Sequence, residues 1–107
     1  MELNSTLNLT KDGFLINGED WTESVAIQLA NVESIELTEA HWTILYFMRE
    51  YYKKYQYLPN TRIFIKAVSN EFGKEIGNSL YLQKLFPQSP LKYTCKIAGL
   101  PKPPTCL

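Results

Sequence analysis

Three prolines within four residues, Pro101, Pro103 and Pro104, stand at the end of this 107-residue chain. Each fixes φ at about −65° and removes a backbone donor, so the run Leu100-Pro101-Lys102-Pro103-Pro104-Thr105-Cys106-Leu107 can join neither a helix nor a sheet interior. An extended, polyproline-like course advances roughly 3.1 Å per residue, which carries the Cys106 sulfur about 20 Å past the last packed element. Gly99, just before the run, suits a helix stop because glycine enters the left-handed region without steric cost, and the same spot can hinge. The expectation is one packed domain over residues 1–99 and a flexible arm over 100–107. If the arm folds back, Cys106 can approach Cys95 at a modest loop-closure cost.

Composition narrows the function classes. The chain carries eleven basic and eleven acidic side chains, a formal charge of zero. No net field therefore favours a polyanion or an anionic membrane, and nucleic acid is disfavoured as a direct ligand. No apolar run approaches the length that spans a bilayer, and Met1-Glu2-Leu3-Asn4-Ser5 lacks the regions of a signal peptide, so the chain reads as cytoplasmic. In a reducing compartment two cysteines are more often catalytic, redox-sensing or idle than structural, which weighs against a permanent Cys95–Cys106 disulfide.

Along the chain, Leu7 and Leu9 alternate before the turn residues Lys11-Asp12-Gly13 and the apolar run Phe14-Leu15-Ile16, the pattern of a β-hairpin. Asn17-Gly18 reads as a second turn, with a third short pairing around Trp21. Thr22 can cap a helix with Val25, Ala26, Leu29 and Ala30 on one face. Thr38 opens a longer helix to about Tyr55, Thr61 one that Gly73 stops, Asn78-Ser79 one that Pro87 ends, and Ser89-Pro90 a last one carrying Tyr93, Cys95, Ile97 and Ala98. The fold class expected is α+β: a small N-terminal antiparallel β meander packed on an array of about five helices.

Several residues invite chemistry. A thiolate is the nucleophile of sulfur exchange, and for Cys106 the Leu107 α-carboxylate opposes ionisation whereas Lys102 and Lys96 favour it if the arm curls back. Cys95 reads either as a small core hydrophobe or as a resolving thiol that attacks a sulfur carried on Cys106. Arg62 and Lys66, four apart on one helix face, form with Lys92 and Lys96 either a basic lining for an anionic sulfur species or a solvated face. His41 has no second histidine or cysteine nearby and reads as a surface or half-buried residue rather than a base or ligand. Tyr46-Phe47, Tyr51-Tyr52 and Tyr55-Gln56-Tyr57 fall at helical spacing and suit core and rim packing better than base stacking. A helix-turn-helix over Trp42 to Phe72, in a redox-sensing DNA-binding regulator, is the alternative from another class; the charge balance speaks against it.

The run Cys95-Lys96-Ile97-Ala98-Gly99-Leu100-Pro101-Lys102-Pro103, closing on Cys106-Leu107, resembles the signature of the DsrC and TusE family of sulfur-relay proteins. Gly77-Asn78-Ser79, Tyr81-Leu82, Leu85-Phe86-Pro87, Leu37-Thr38-Glu39, His41-Trp42, Arg49 and the stretch Arg62 to Val68 are similar to it too. The resemblance implies a three-stranded sheet on a helical array, a flexible arm, and a Cys106 that carries sulfur as a persulfide between proteins. The carrier is then a protein co-substrate more than a free-standing enzyme. It needs no cofactor or metal, and Arg62, Lys66 and Lys102 would steer sulfur or arm. The implied donor is a TusBCD-type or DsrEFH-type complex; members resembling TusE take sulfur from a TusBCD-type complex and support tRNA 2-thiouridine formation, with a tRNA thiolase as acceptor. Those resembling DsrC serve dissimilatory sulfite reductase, where the two cysteines can form a disulfide or hold a trisulfide. A cysteine eleven residues before the penultimate one, as Cys95 is here, favours the DsrC side, since TusE-like proteins commonly lack it.

Overall fold

Five α-helices make up nearly all the regular structure of residues 8–104, the part of the chain that the computed structural model describes. They are α1 (Glu23–Val32), α2 (Glu39–Tyr55), α3 (Thr61–Phe72), α4 (Ser79–Leu85) and α5 (Pro90–Ile97), preceded by one 3₁₀ turn over Gly18–Asp20. Side-chain caps explain the starting points. Thr22 Oγ1 accepts from the Val25 N–H at 3.1 Å, Asn60 Oδ1 from Ile63 at 2.9 Å and Asn78 Oδ1 from Tyr81 at 2.8 Å, each filling an amide left open by the first helical turn. Pro90 opens α5 at a position where its missing N–H is no loss.

One buried stripe from each helix builds the core. Ile44, Leu45 and Met48 of α2 meet Phe64 and Val68 of α3, Leu82 of α4 and Leu91, Cys95 and Ile97 of α5, while Ala26, Leu29 and Ala30 of α1 and Phe14 close the other side. Helix α5 packs against α1, α2 and α4, so its buried face is fixed from three directions.

His41 is a core residue. Its Nδ1 accepts from the Thr38 N–H at 3.0 Å, which leaves the proton on Nε2 to donate to Leu85 O at 2.7 Å. One ring thus caps the start of α2 and the end of α4, with its edge against Phe86. His41→Ala strips both partners, and we expect it to lower unfolding stability by about 2–3 kcal/mol in urea denaturation. Thr94 is the opposite case: its Oγ1 is buried with no hydrogen-bond partner among the described residues. Thr94→Val, which keeps the shape and removes the unpaired hydroxyl, should raise stability by about 1 kcal/mol in the same assay.

The α+β expectation is overturned. Among the described residues there is no β-strand, and the N-terminal β meander reduces to one isolated antiparallel bridge, Leu9 to Leu15. Two features account for it. Phe14 and Leu15 are both buried in succession, which breaks the alternation a half-buried strand needs, while Ile16 is 65% exposed. Asn17 then spends its side chain capping the 3₁₀ turn, accepting from the Glu19 N–H at 3.0 Å, and the chain enters α1 instead of a third pairing. Leu7 and the residues before it, also counted in the meander, lie outside the described residues.

Candidate functional site

The site is built where α5 ends and the proline run begins. Gly99 adopts φ +74°, and its amide reaches Lys96 O at 3.3 Å while the Leu100 amide reaches Cys95 O at 2.9 Å. That pair of bonds is a Schellman motif, which turns the chain out of the helix and needs a residue tolerant of the left-handed region. Gly99 also lacks room for a side chain: a Cβ there would lie 2.5 Å from Trp21 Cδ1. Leu100 and Pro103 are buried, and Pro101, Lys102 and Pro104 are exposed. Lys102 Nζ meets Asp12 Oδ2 at 3.1 Å, and this hydrogen bond and charge hold the Asp12 carboxyl below its ordinary value. As far as Lys102 the run therefore lies beside the N-terminal turn.

Beside it runs an open groove of about 950 Å³ lined by Asp12, Phe14, Arg49, Gly99, Pro101 and Lys102 among others. Arg49 Nη1 donates to Ala98 O at 2.7 Å and Trp21 Nε1 to Ile97 O at 2.8 Å. The sequence suggested a short pairing around Trp21 and placed Arg49 on the long helix, with no role for either beyond the resemblance that includes Arg49. No local pattern reveals either role, because the carbonyls they serve lie far along the chain.

Cys95 sits on the inner face of α5 with 0% exposure, and burial pushes its thiol up to about 12. At rest it is a core side chain. Cys106 lies outside the described residues. Of the basic candidates, Arg62 and Lys66 line a second, shallower groove of about 440 Å³ together with Lys74, and that groove shares no lining residue with the one at Gly99 and Lys102. Lys96 is held by Glu33 at 2.6 Å, and Lys92 leans over the Tyr93 ring. Neither groove is lined by Lys92 or Lys96. Tyr51 packs against Tyr55, Tyr57 and Phe47, and Phe47 in turn against Phe72, while Tyr46 packs on Trp21 and Trp42; Tyr55 and Tyr57 stand at the exposed rim.

A small helical body, a helix exit closed by a Schellman motif and a proline run lying beside an open groove make up the described site. A family model described as DsrC like protein matches residues 3–107. The chain is 48% identical over 97 residues to the sulfurtransferase TusE homolog of Haemophilus influenzae, covering 91% of this chain and 89% of that one. Its fold matches the NMR structure of Allochromatium vinosum DsrC with a TM-score of 0.86 at 48% identity, over 94% of this chain and 90% of that one. It also matches the oxidized γ-subunit of dissimilatory sulfite reductase (DsrC) from Archaeoglobus fulgidus, with a TM-score of 0.81 at 44% identity over 94% and 92%. The chain belongs to the DsrC/TusE family of sulfur-relay proteins.

Proposed function

We propose that this protein is a cytoplasmic sulfur carrier that accepts a sulfur atom as a persulfide on Cys106 and hands it to a partner protein. The observation that supports this most is the family match, which extends through Cys106 itself. The Cys106 thiolate attacks the outer sulfur of a donor persulfide, R–S–SH. The S–S bond breaks, the donor leaves as RS⁻, and Cys106–S–SH forms, with no oxidant or reductant consumed. Residues 1–99 are the body and 100–107 the arm, with Gly99 as the pivot; Lys102 orients the arm's base, and Arg62 and Lys66 steer the approaching anionic sulfur or its carrier. The donor is a TusBCD-type or DsrEFH-type complex.

For the acceptor we propose a tRNA thiolase, as in a TusE-like relay. The burial of Cys95 favours a carrier working with one thiol, and the Haemophilus influenzae relative bears the TusE name. A second reading, DsrC-like service to dissimilatory sulfite reductase, is favoured by the Cys95 spacing and by the likeness to DsrC structures. In that reading Cys95 attacks the inner sulfur of Cys106–S–SH, expels HS⁻ and leaves a disulfide, which requires the end of α5 to open. Gene deletion tests the choice. Loss of tRNA 2-thiouridine, restored by Cys95→Ala but not by Cys106→Ser, supports the tRNA route; unchanged 2-thiouridine contradicts it.

A further inference from the structure

Every carbonyl in the last turn of α5 has a partner, and two of the partners come from elsewhere in the chain. The Schellman bonds serve Cys95 O and Lys96 O, and the Ala98 amide serves Thr94 O. Ile97 O and Ala98 O, which water could solvate on an ordinary helix end, are taken by Trp21 and Arg49. The two side chains are also coupled to each other, since the Arg49 guanidinium lies 4.1 Å from the Trp21 ring centroid. Arg49 has no carboxylate within ion-pair distance among the described residues, so its charge is directed at the negative end of α5 and the indole face. Trp21 is itself backed by Tyr46, edge-on at 5.7 Å, and Tyr46 donates to Glu23 on α1. The indole then fills the space where a side chain on Gly99 would stand.

We infer that Trp21 and Arg49 are positioning residues for sulfur transfer: they lock the last two carbonyls before Gly99 and so set the direction in which the run leaves helix α5 and the path it takes along the body. This rests on the carrier reading above. Helix stability alone does not call for the arrangement, because the Schellman motif already ends α5. A carrier whose cargo must enter a partner's cleft gains from a fixed launch point, since an arm that leaves in many directions binds less often in the productive one. Both act through the α5 carbonyls they bind, so they are positioning residues rather than catalytic ones.

The test compares wild type with Trp21→Phe, which keeps an aromatic ring and removes the Nε1 donor, and with Arg49→Gln and Arg49→Lys. Three readouts are taken on folded protein: loading of Cys106 by sodium polysulfide, loading by a persulfide-charged TusBCD complex, and amide hydrogen exchange at Gly99 and Leu100. We expect polysulfide loading to stay unchanged in all variants. Loading by the protein donor should show a KM raised roughly tenfold in Trp21→Phe and Arg49→Gln, the scale of one lost hydrogen bond to a buried or charged partner. Arg49→Lys, which keeps the charge, should recover part of that loss, and exchange at Gly99 and Leu100 should quicken in step with KM. Unchanged KM and exchange overturn the inference. So does an equal loss in both loading assays, which marks a general structural defect. If wild type takes sulfur from neither source, the carrier reading fails while the exchange data still decide whether the clamp fixes the exit.

Discussion

Iodoacetamide added to the folded protein at about pH 8 labels Cys106 and leaves Cys95 unmodified. The reasoning is in the thiolate fractions. With its thiol pushed up to about 12, Cys95 is ionised to roughly one part in 10⁴ at that pH, against about a quarter for a thiol of ordinary pKa. Full burial adds a steric barrier, so the native-state rate ratio should exceed about 10³. Peptide mass mapping after timed quenching reads it directly, with denatured protein as the control in which both cysteines react. Comparable native rates at the two positions contradict the placement of Cys95. A second consequence concerns alkaline stability. The unfolded chain begins to ionise Cys95 near 9.0, whereas the fold keeps the proton to about 12. The contribution is therefore complete below pH 9.0 and is lost as pH rises towards 12. Wild type should lose stability against Cys95→Ala across that window, and a constant difference between the two contradicts the shift.

Gly99→Ala should destabilise the protein by about 2–5 kcal/mol. A residue with a Cβ costs about 1–2 kcal/mol in the left-handed region, and forcing that atom into a filled space adds about 1–3 kcal/mol. The second cost is specific here, because the added carbon would sit 2.5, 2.8 and 2.9 Å from Cδ1, Cγ and Cβ of Trp21. Relief would have to come from moving the indole, which breaks its bond to Ile97 O and disturbs the stacked Arg49. Guanidinium denaturation of the two proteins measures the cost, and a loss below about 1 kcal/mol would show that the exit from α5 is looser than its hydrogen bonds imply.

The helices were legible in the sequence because their signals are local: Thr22, Thr38, Asn78 and Ser89 each stand immediately before a helix, Thr61 is the first residue of one, capped by Asn60, and Gly73 and Gly99 stand after one. The β meander was misread for a local reason as well. Turn residues around Asp12-Gly13 and Asn17-Gly18 do produce turns, but the flanking apolar residues answer to the helical core, with Phe14 drawn into it, and among the described residues only Leu9 and Leu15 form a bridge. At the site, the stop at Gly99 followed from the chain alone. The clamp did not, since Trp21 and Arg49 lie 76 and 49 positions from the carbonyls they bind and no periodicity links them. Grouping Arg62 and Lys66 with Lys92 and Lys96 goes beyond what helical spacing can tell, since spacing joins pairs within one helix only; Arg62 and Lys66 line a groove that includes neither Lys92 nor Lys96, and Lys96 is held by Glu33.

The central claim, that Cys106 is the sulfur acceptor, is tested most directly by intact-mass analysis of reduced wild type, Cys95→Ala and Cys106→Ser after incubation with a persulfide-loaded donor complex. The account predicts a gain of one sulfur atom on wild type and Cys95→Ala and none on Cys106→Ser; a sulfur adduct that persists on Cys106→Ser, or its absence from wild type, would contradict it.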